Sequence, residues 1–166
     1  FHAPLAAAFP SRYRVRARAR LDARGSALSY LVDTNVLSEL SRREPDSGVS
    51  EWFAQRPATT LYISVLTLGE LRKGVERLVD EPRRTRLFDW LEVEVPAFFS
   101  GRVLDIDAAV ADCWGRLLAK AGRPLPAVDS LLAATAIHHE LSLVTRNSRD
   151  FELPGLTVIN PWISLR

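Results

Sequence analysis

A chain of 166 residues, 47% apolar and 25% charged, with one cysteine, Cys113, has the size of one domain with its own core and excludes an internal disulfide or a cysteine-based zinc site. It also excludes a membrane helix, because no stretch reaches the roughly 18 to 20 consecutive apolar residues that one needs, and the expectation is a soluble, cytoplasmic protein without membrane contact. The formal charge of +2 comes from residues 1–28, whose six arginines and one aspartate, taken from totals of 22 and 20, leave 16 basic against 19 acidic side chains, so the rest of the chain has no global positive field for a polyanion.

Residues 1–28 alternate arginine with small or apolar residues, as in Arg12-Tyr-Arg-Val-Arg-Ala-Arg-Ala-Arg20, without an apolar stripe of helical period. This pattern predicts a disordered arm. Three origins compete: an extension upstream of the true start, in keeping with the absence of Met, a nucleic-acid or partner-binding arm, or an Arg-rich transit-like peptide. Residues 29–166 are expected to form the folded domain.

Tyr30-Leu-Val-Asp33 is a short buried-strand run, followed by Val36, Leu37 and Leu40 at helical spacing. Gly48 to Arg56 predicts a short helix closed by Pro57, and Thr60 to Ser64 a second strand with β-branched and aromatic content. Leu66 to Val79 predicts a helix with a stripe of Leu71, Val75, Leu78 and Val79, leaving Glu70, Gly74 and Arg77 on a different face. Pro82 suits the first turn of a helix running to about Glu92 and ended by Pro96, and Arg102 to Ile106 reads as a third strand. Asp107 is the expected N-cap of a helix from Ala108 to Ala121 that Gly122 and Pro124 stop. A helix from Ala127 to Glu140, a fourth strand at Leu143-Val-Thr145 and a last strand at Thr157 to Ile159 complete the chain. Strands separated by helices imply an α/β domain with a mainly parallel sheet.

In such a sheet, ligands bind beyond the carboxyl ends of the strands, so acids placed there share one address. Asp33 ends the first strand, and Thr34 and Asn35 carry the hydroxyl and amide that can hold a carboxylate in its ionised form; capping of the next helix would also account for it. Glu70 follows the second strand, one turn before Gly74, whose missing side chain leaves room for close approach; a solvated acid paired with Lys73 or Arg77 is the plainer account. Asp129 lies in the first turn of its helix on a face with Ala133 and Ala136, where favourable interaction with the helix N-terminus is the alternative. Asn147 and Asp150 follow the fourth strand.

Carboxylates brought together repel unless a cation compensates, and an all-oxygen cluster suits Mg²⁺ or Mn²⁺ rather than zinc. Such an ion can activate water and neutralise charge on a phosphodiester, which predicts phosphodiester hydrolysis. His138 and His139 end a helix, where capping explains them. Arg72, Lys73, Arg77 and Arg146, with Arg83, Arg84, Arg86, Arg116, Lys120, Arg123 and Arg149, are candidates for phosphate contact.

Leu31-Val-Asp-Thr-Asn35, Glu70-Leu-Arg-Lys-Gly74, Val128-Asp-Ser130 and Leu143-Val-Thr-Arg-Asn147, with the closing Asn160-Pro-Trp162, together resemble a PIN-domain ribonuclease, specifically the VapC/FitB-type toxins of type II toxin-antitoxin systems. The resemblance covers nearly all of residues 29–166. It implies a PIN-like three-layer α/β/α sandwich, and an endoribonuclease in which Asp33, Glu70 and Asp129 bind Mg²⁺ or Mn²⁺ and water attacks RNA to leave 5′-phosphate and 3′-hydroxyl ends. Thr34, Asn35 and Thr145 would orient these acids. It further implies a homodimer and a cognate antitoxin that covers the active site and through which the pair binds operator DNA; structured RNA such as tRNA or rRNA is the implied substrate. Where many relatives have a fourth aspartate this chain has Asn147, which weakens a second metal position, and Asp150 is the candidate substitute.

Three other readings compete with this one. A phosphoacceptor receiver domain would need a lysine after a late strand, and lysine occurs only at positions 73 and 120. A structure-specific DNA nuclease would need a more basic surface. A catalytically degenerate PIN-like scaffold for RNA or protein is favoured by Asn147 and opposed by the intact acidic triad.

Overall fold

Five short parallel strands form the centre of the computed structural model, which describes residues 28–163: β1 (Tyr30–Val32), β2 (Leu61–Ser64), β3 (Val103–Leu104), β4 (Ser142–Val144) and β5 (Val158–Ile159). Their spatial order is β3-β2-β1-β4-β5. β1 therefore pairs on both sides, with Tyr30 opposite Leu61, Leu31 opposite Leu143 and Val32 opposite Val144. All three residues of β1 are buried, as expected of a parallel strand with helices on both faces of its sheet.

The side-chain period of two divides the core into two halves. Tyr30, Val32, Leu61, Ile63 and Val144 face one layer, where they pack with Leu37, Trp52, Phe53, Leu71 and Phe99. Leu31 and Leu143 face the other, with Val110, Leu117, Ala133, Ala136 and Phe151. The first layer comprises α1 (Thr34–Leu40), α2 (Ser47–Ala54), α3 (Val65–Glu76), α4 (Glu81–Asp89) and the short α5 (Val95–Phe98); the second comprises α6 (Ala108–Ala121) and α7 (Ala127–His138). The result is the α/β/α sandwich expected from the sequence.

Helix ends follow local chemistry. The Asp46 carboxylate accepts from the Val49 N–H at 3.2 Å, the Ser64 hydroxyl from Leu66 N–H at 3.2 Å and the Asp107 carboxylate from Val110 N–H at 2.9 Å, each relieving a donor that the first helical turn leaves unpaired. Gly122 ends α6 with φ +64°, a left-handed conformation that glycine adopts without strain. At the sheet edge, the half-buried Arg102 guanidinium donates to the carbonyls of Ala58, Leu61 and Phe98, and burial lowers its pKa.

Several boundaries differ from the sequence expectation. The helix expected to reach Val79 ends at Glu76, and Val79 is 94% exposed; Asp80 turns extended to open α4, which breaks the period that Leu71 and Val75 began. Pro96 does not end its helix. A single π turn at Trp90–Glu94, in which the Val95 N–H reaches the Trp90 carbonyl, leads into α5, and the widened ring accommodates a residue that has no N–H of its own. The third strand shrinks to Val103–Leu104, and α7 stops at His138 with Glu140 at φ 54°. Gly74 is exposed, and nothing lies within 4 Å of where a Cβ would sit, so no close approach requires it. The Arg-rich pattern of residues 1–27 lies outside the described residues, whereas Leu28 packs on the first core layer.

Since no atom lies within 4 Å of a Cβ built on Gly122, Gly122→Ala tests backbone conformation alone. It is expected to lower stability by about 1 to 2 kcal/mol in urea unfolding, and an unchanged midpoint would mean that the turn relaxes.

Candidate active site at the carboxyl edge of the sheet

The strand order reverses at β1, with β2 and β3 on one side and β4 and β5 on the other. The crevice of such a sheet lies at this switch point, past the carboxyl ends of β1 and β4. Asp33 follows β1 and Thr145 follows β4, and the Asp33 N–H donates to the Val144 carbonyl at 3.0 Å. The two side chains, 112 positions apart, thus meet because their strands are neighbours.

Asp33 is 7% exposed. One carboxylate oxygen, Oδ1, accepts from the Thr34 N–H at 2.6 Å; the other, Oδ2, accepts from Asn35 Nδ2 at 2.7 Å and from the Thr145 hydroxyl at 2.6 Å. The Thr145 hydroxyl in turn accepts from Asn35 Nδ2 at 2.9 Å and from the Asn147 N–H at 3.1 Å, so its one donor and both lone pairs are in use. Asn35 Oδ1 accepts from the Arg146 N–H at 3.1 Å, which fixes the orientation of its amide. Asp33 is also the N-cap of α1, so the capping and site readings hold for one residue at once.

Glu70 lies on α3, and its Oε2 accepts from the Thr34 hydroxyl at 2.6 Å. The expected pairing with Lys73 or Arg77 gives way to this contact across 36 residues. Asp129 stands in the first turn of α7, half-buried. That turn is anchored by Ser130, whose hydroxyl accepts from Trp114 Nε1 at 2.9 Å and donates to the Ala127 carbonyl at 3.0 Å, while Ala133 and Ala136 are fully buried behind it.

Electrostatics tie the three acids together. Burial pushes the Asp33 carboxyl above its ordinary range; the hydrogen bonds from Thr145 and Thr34 oppose this, and Glu70 and Asp129 push it further up. Asp129 is likewise raised by burial, then by Glu70 and by Asp150. Glu70 and Asp129 thus both act on Asp33, and Asp150, though exposed, acts with Glu70 on Asp129. Asn147 is exposed, and its visible role is the backbone N–H given to Thr145.

Among the described residues, no three Asp, Glu, His or Cys side chains form a closed metal cage. The oxygen donors and mutual repulsion of the acids nevertheless fit a hard divalent ion that keeps several waters and takes one or two carboxylates. Of the basic candidates Arg72, Lys73, Arg77 and Arg146, Arg146 adjoins the site, stacked 5.4 Å from the Trp162 ring centroid. Arg72 is held by Glu76 and Glu92 and lies over Phe88, while Lys73 on α3 and Arg77 at its C-cap are exposed.

The sequence reading assigned no role to Trp114 or Asn160. Asn160 Nδ2 donates to the Arg146 carbonyl at 2.9 Å, and its Oδ1 accepts from the Trp162 N–H at 3.0 Å, which fastens the segment after β4. The motif Asn160-Pro-Trp162 carried that signal; Trp114, inside an amphipathic helix, carried none.

The PIN domain family model matches residues 30–154. The VapC ribonuclease Y4jK of Sinorhizobium fredii is 39% identical over 135 residues, covering 80% of this chain and 96% of that protein. The crystal structure of FitAcB from Neisseria gonorrhoeae superposes with a TM-score of 0.76 at 34% identity, covering 81% of this chain and 99% of the other. DNA-bound VapBC from Salmonella typhimurium gives a TM-score of 0.63 at 29% identity, with 81% and 98% covered. The fold and the acidic edge thus define a PIN domain. Within that family, the chain belongs to the VapC/FitB ribonuclease toxins.

Because the Asp33 and Asp129 carboxyls bind protons more tightly in the folded chain than in the unfolded one, their contribution favours the metal-free fold below the ordinary aspartate range and is lost as pH rises through the raised values. Asp129→Asn is expected to raise the melting temperature of metal-free protein at neutral pH, with the gap closing as pH falls toward 4. A variant less stable than the parent at neutral pH would show instead that the Asp129 carboxylate is favourably paired.

Proposed function

We propose that the chain is a metal-dependent endoribonuclease toxin that hydrolyses RNA phosphodiester bonds, with Asp33, Glu70 and Asp129 as its acidic centre and Mg²⁺ or Mn²⁺ as cofactor. The observation that carries this reading is the buried Asp33 carboxylate, held by three donors while Glu70 and Asp129 raise its proton affinity. That arrangement keeps negative charge where the protein alone does not neutralise it. Bound there, a divalent ion would supply an activated water and offset charge developing on the phosphodiester.

The chain's own residues do the positioning. Asn35 and Thr145 leave the Asp33 carboxylate little rotational freedom, and Thr34 links it to Glu70, donating its N–H to one acid and its hydroxyl to the other. The first turn of α7, anchored through Ser130 and Trp114, brings Asp129 to the same edge. Arg146, stacked on Trp162 beside this edge, would meet a substrate phosphate. Asp150 supplies further negative charge near Asp129, and Asn147 serves through its backbone. The proposed catalytic unit is residues 29–166, with Leu28 packed against its core.

The reading includes a cognate antitoxin that covers the acids, operator DNA held through the antitoxin, a homodimer, and structured RNA such as tRNA or rRNA as substrate. The match to DNA-bound VapBC supports the antitoxin and DNA parts of this reading. A cytoplasmic location accords with a substrate of this kind, and no helix among the described residues is long and apolar enough to cross a membrane.

Purified, antitoxin-free protein incubated with a tRNA and rRNA pool and Mg²⁺ or Mn²⁺ is expected to give discrete cuts. EDTA, Asp33→Asn and Asp129→Asn should each abolish them, and Thr145→Val, which removes only the hydroxyl that orients Asp33, should lower the rate about 10- to 100-fold. A folded preparation that leaves the pool intact would point instead to a non-catalytic RNA or protein scaffold.

A further inference from the structure

A cleft of about 390 Å³ opens between the end of α1 and the start of α4, and none of Asp33, Glu70 and Asp129 lines it. Arg42, Arg43, Arg83 and Arg86 line it together with Asp80 and Leu87. Arg42 is held at 3.0 Å by the buried carboxylate of Glu39. Among the described residues, Arg43, Arg83 and Arg86 have no carboxylate within ion-pair distance, whereas the neighbouring Arg72 and Arg84 are bound to Glu76. Capping of the α1 C-terminus accounts for a base at 42 or 43. It does not account for two further arginines arriving from α4 on the same cavity.

The charge balance makes this concentration informative. Beyond residue 28 the chain carries more acids than bases, and its candidate site gathers carboxylates. A polyanionic strand approaching that edge is repelled over its whole length except where a cation sits, so productive binding needs positive charge displaced from the acids. Guanidinium groups suit phosphate, because their fixed fork of donors matches two phosphate oxygens. The seven residues of α1, at about 1.5 Å each, separate the cleft from Asp33 by roughly 10 Å along the helix axis. At about 3.4 Å per nucleotide of a stacked strand, that is some three nucleotides.

Resting on the proposed ribonuclease function, we infer that this arginine cleft is a second anchoring site for the substrate, binding backbone phosphates of the RNA strand a few nucleotides from the scissile bond. It contributes to strand affinity without taking part in the reaction at the acids. Its contacts are to the backbone, so it adds affinity for length rather than sequence preference.

The test compares the full chain with Arg43→Glu/Arg83→Glu, two exposed positions, and with the milder Arg43→Gln/Arg83→Gln as a control for misfolding. Binding of a fluorescein-labelled single-stranded RNA of about a dozen nucleotides is followed by anisotropy in EDTA across a salt series, and cleavage of the same RNA is measured with Mn²⁺. The reversal is expected to raise Kd about ten-fold or more, the glutamine pair less. The slope of log affinity against log salt should fall by about 1.4 for two lost phosphate contacts, and KM for cleavage should rise while kcat is retained. If wild type cleaves the RNA and the variants match it in Kd, slope and KM, the cleft assignment is overturned while the ribonuclease stands. Loss of poly-L-glutamate binding with RNA binding unchanged would overturn it in favour of an acidic protein segment. A wild type that neither binds nor cleaves RNA would overturn both readings.

Discussion

Pairing of β1 with β4 is the constraint on which the site depends. It places the first residue after one strand beside the first after the other, at the point where the sheet changes direction, and joins them through the Asp33 N–H to the Val144 carbonyl. Slip this register and Asp33 loses the Thr145 hydroxyl, Asn35 loses both its contact to that hydroxyl and its hold on the Arg146 N–H, and the segment fastened by Asn160 moves with them. The apolar period enforces the register: Leu31 and Leu143 must face one helical layer while Val32 and Val144 face the other. A one-residue slip would turn each to the wrong side. Packing of a few aliphatic side chains therefore determines where a carboxylate sits.

Burying that carboxylate works against the fold, and the surroundings show how the opposition is managed. Burial raises the proton affinity of Asp33, the hydrogen bonds from Thr145 and Thr34 lower it without cancelling that effect, and Glu70 and Asp129 raise it further. The remedy within the protein is incomplete. Thr34 satisfies one oxygen of Glu70, and no hydrogen bond to the Asp129 carboxylate is present among the described residues. Sites that stay electrostatically unfavourable in the absence of a ligand are where function is sought, and here the sign of the imbalance specifies a cation.

Much of this was legible in the sequence because short apolar runs, helix caps and the acids after strands are local signals. The strand at Tyr30, the cap at Asp107 and the glycine stop at Gly122 each follow from a few adjacent residues. Asp33, Glu70 and Asp129 could be named, but their relation to one another could not: spacing along the chain is silent on the Thr34 hydroxyl bridging to Glu70 instead of Lys73 or Arg77. Periodicity misled where an element ended for tertiary reasons. Val79 continued the stripe of α3 on paper and stands in solvent because the chain turns at Asp80, and Pro96 read as a stop until a π turn absorbed it. Trp114 was invisible because a tryptophan on an apolar helix face says nothing of where its N–H points.

The two charge distributions of the domain complement each other. The carboxyl edge of the sheet gathers acids because the strands end there, and α1 runs on from Asp33, so that its last turn lies apart from that edge. Arg43, just past the end of α1, and Arg83 and Arg86, from α4, meet in one cleft, and among the described residues none of them is ion-paired to Asp33, Glu70 or Asp129. Had the same arginines stood within ion-pair distance of Asp33 or Asp129, they would have lowered the carboxyl pKa values and occupied the position a divalent ion needs. Keeping the arginines away from the acids is compatible with both proposed roles, a cation at the carboxyl edge and a phosphate in the cleft.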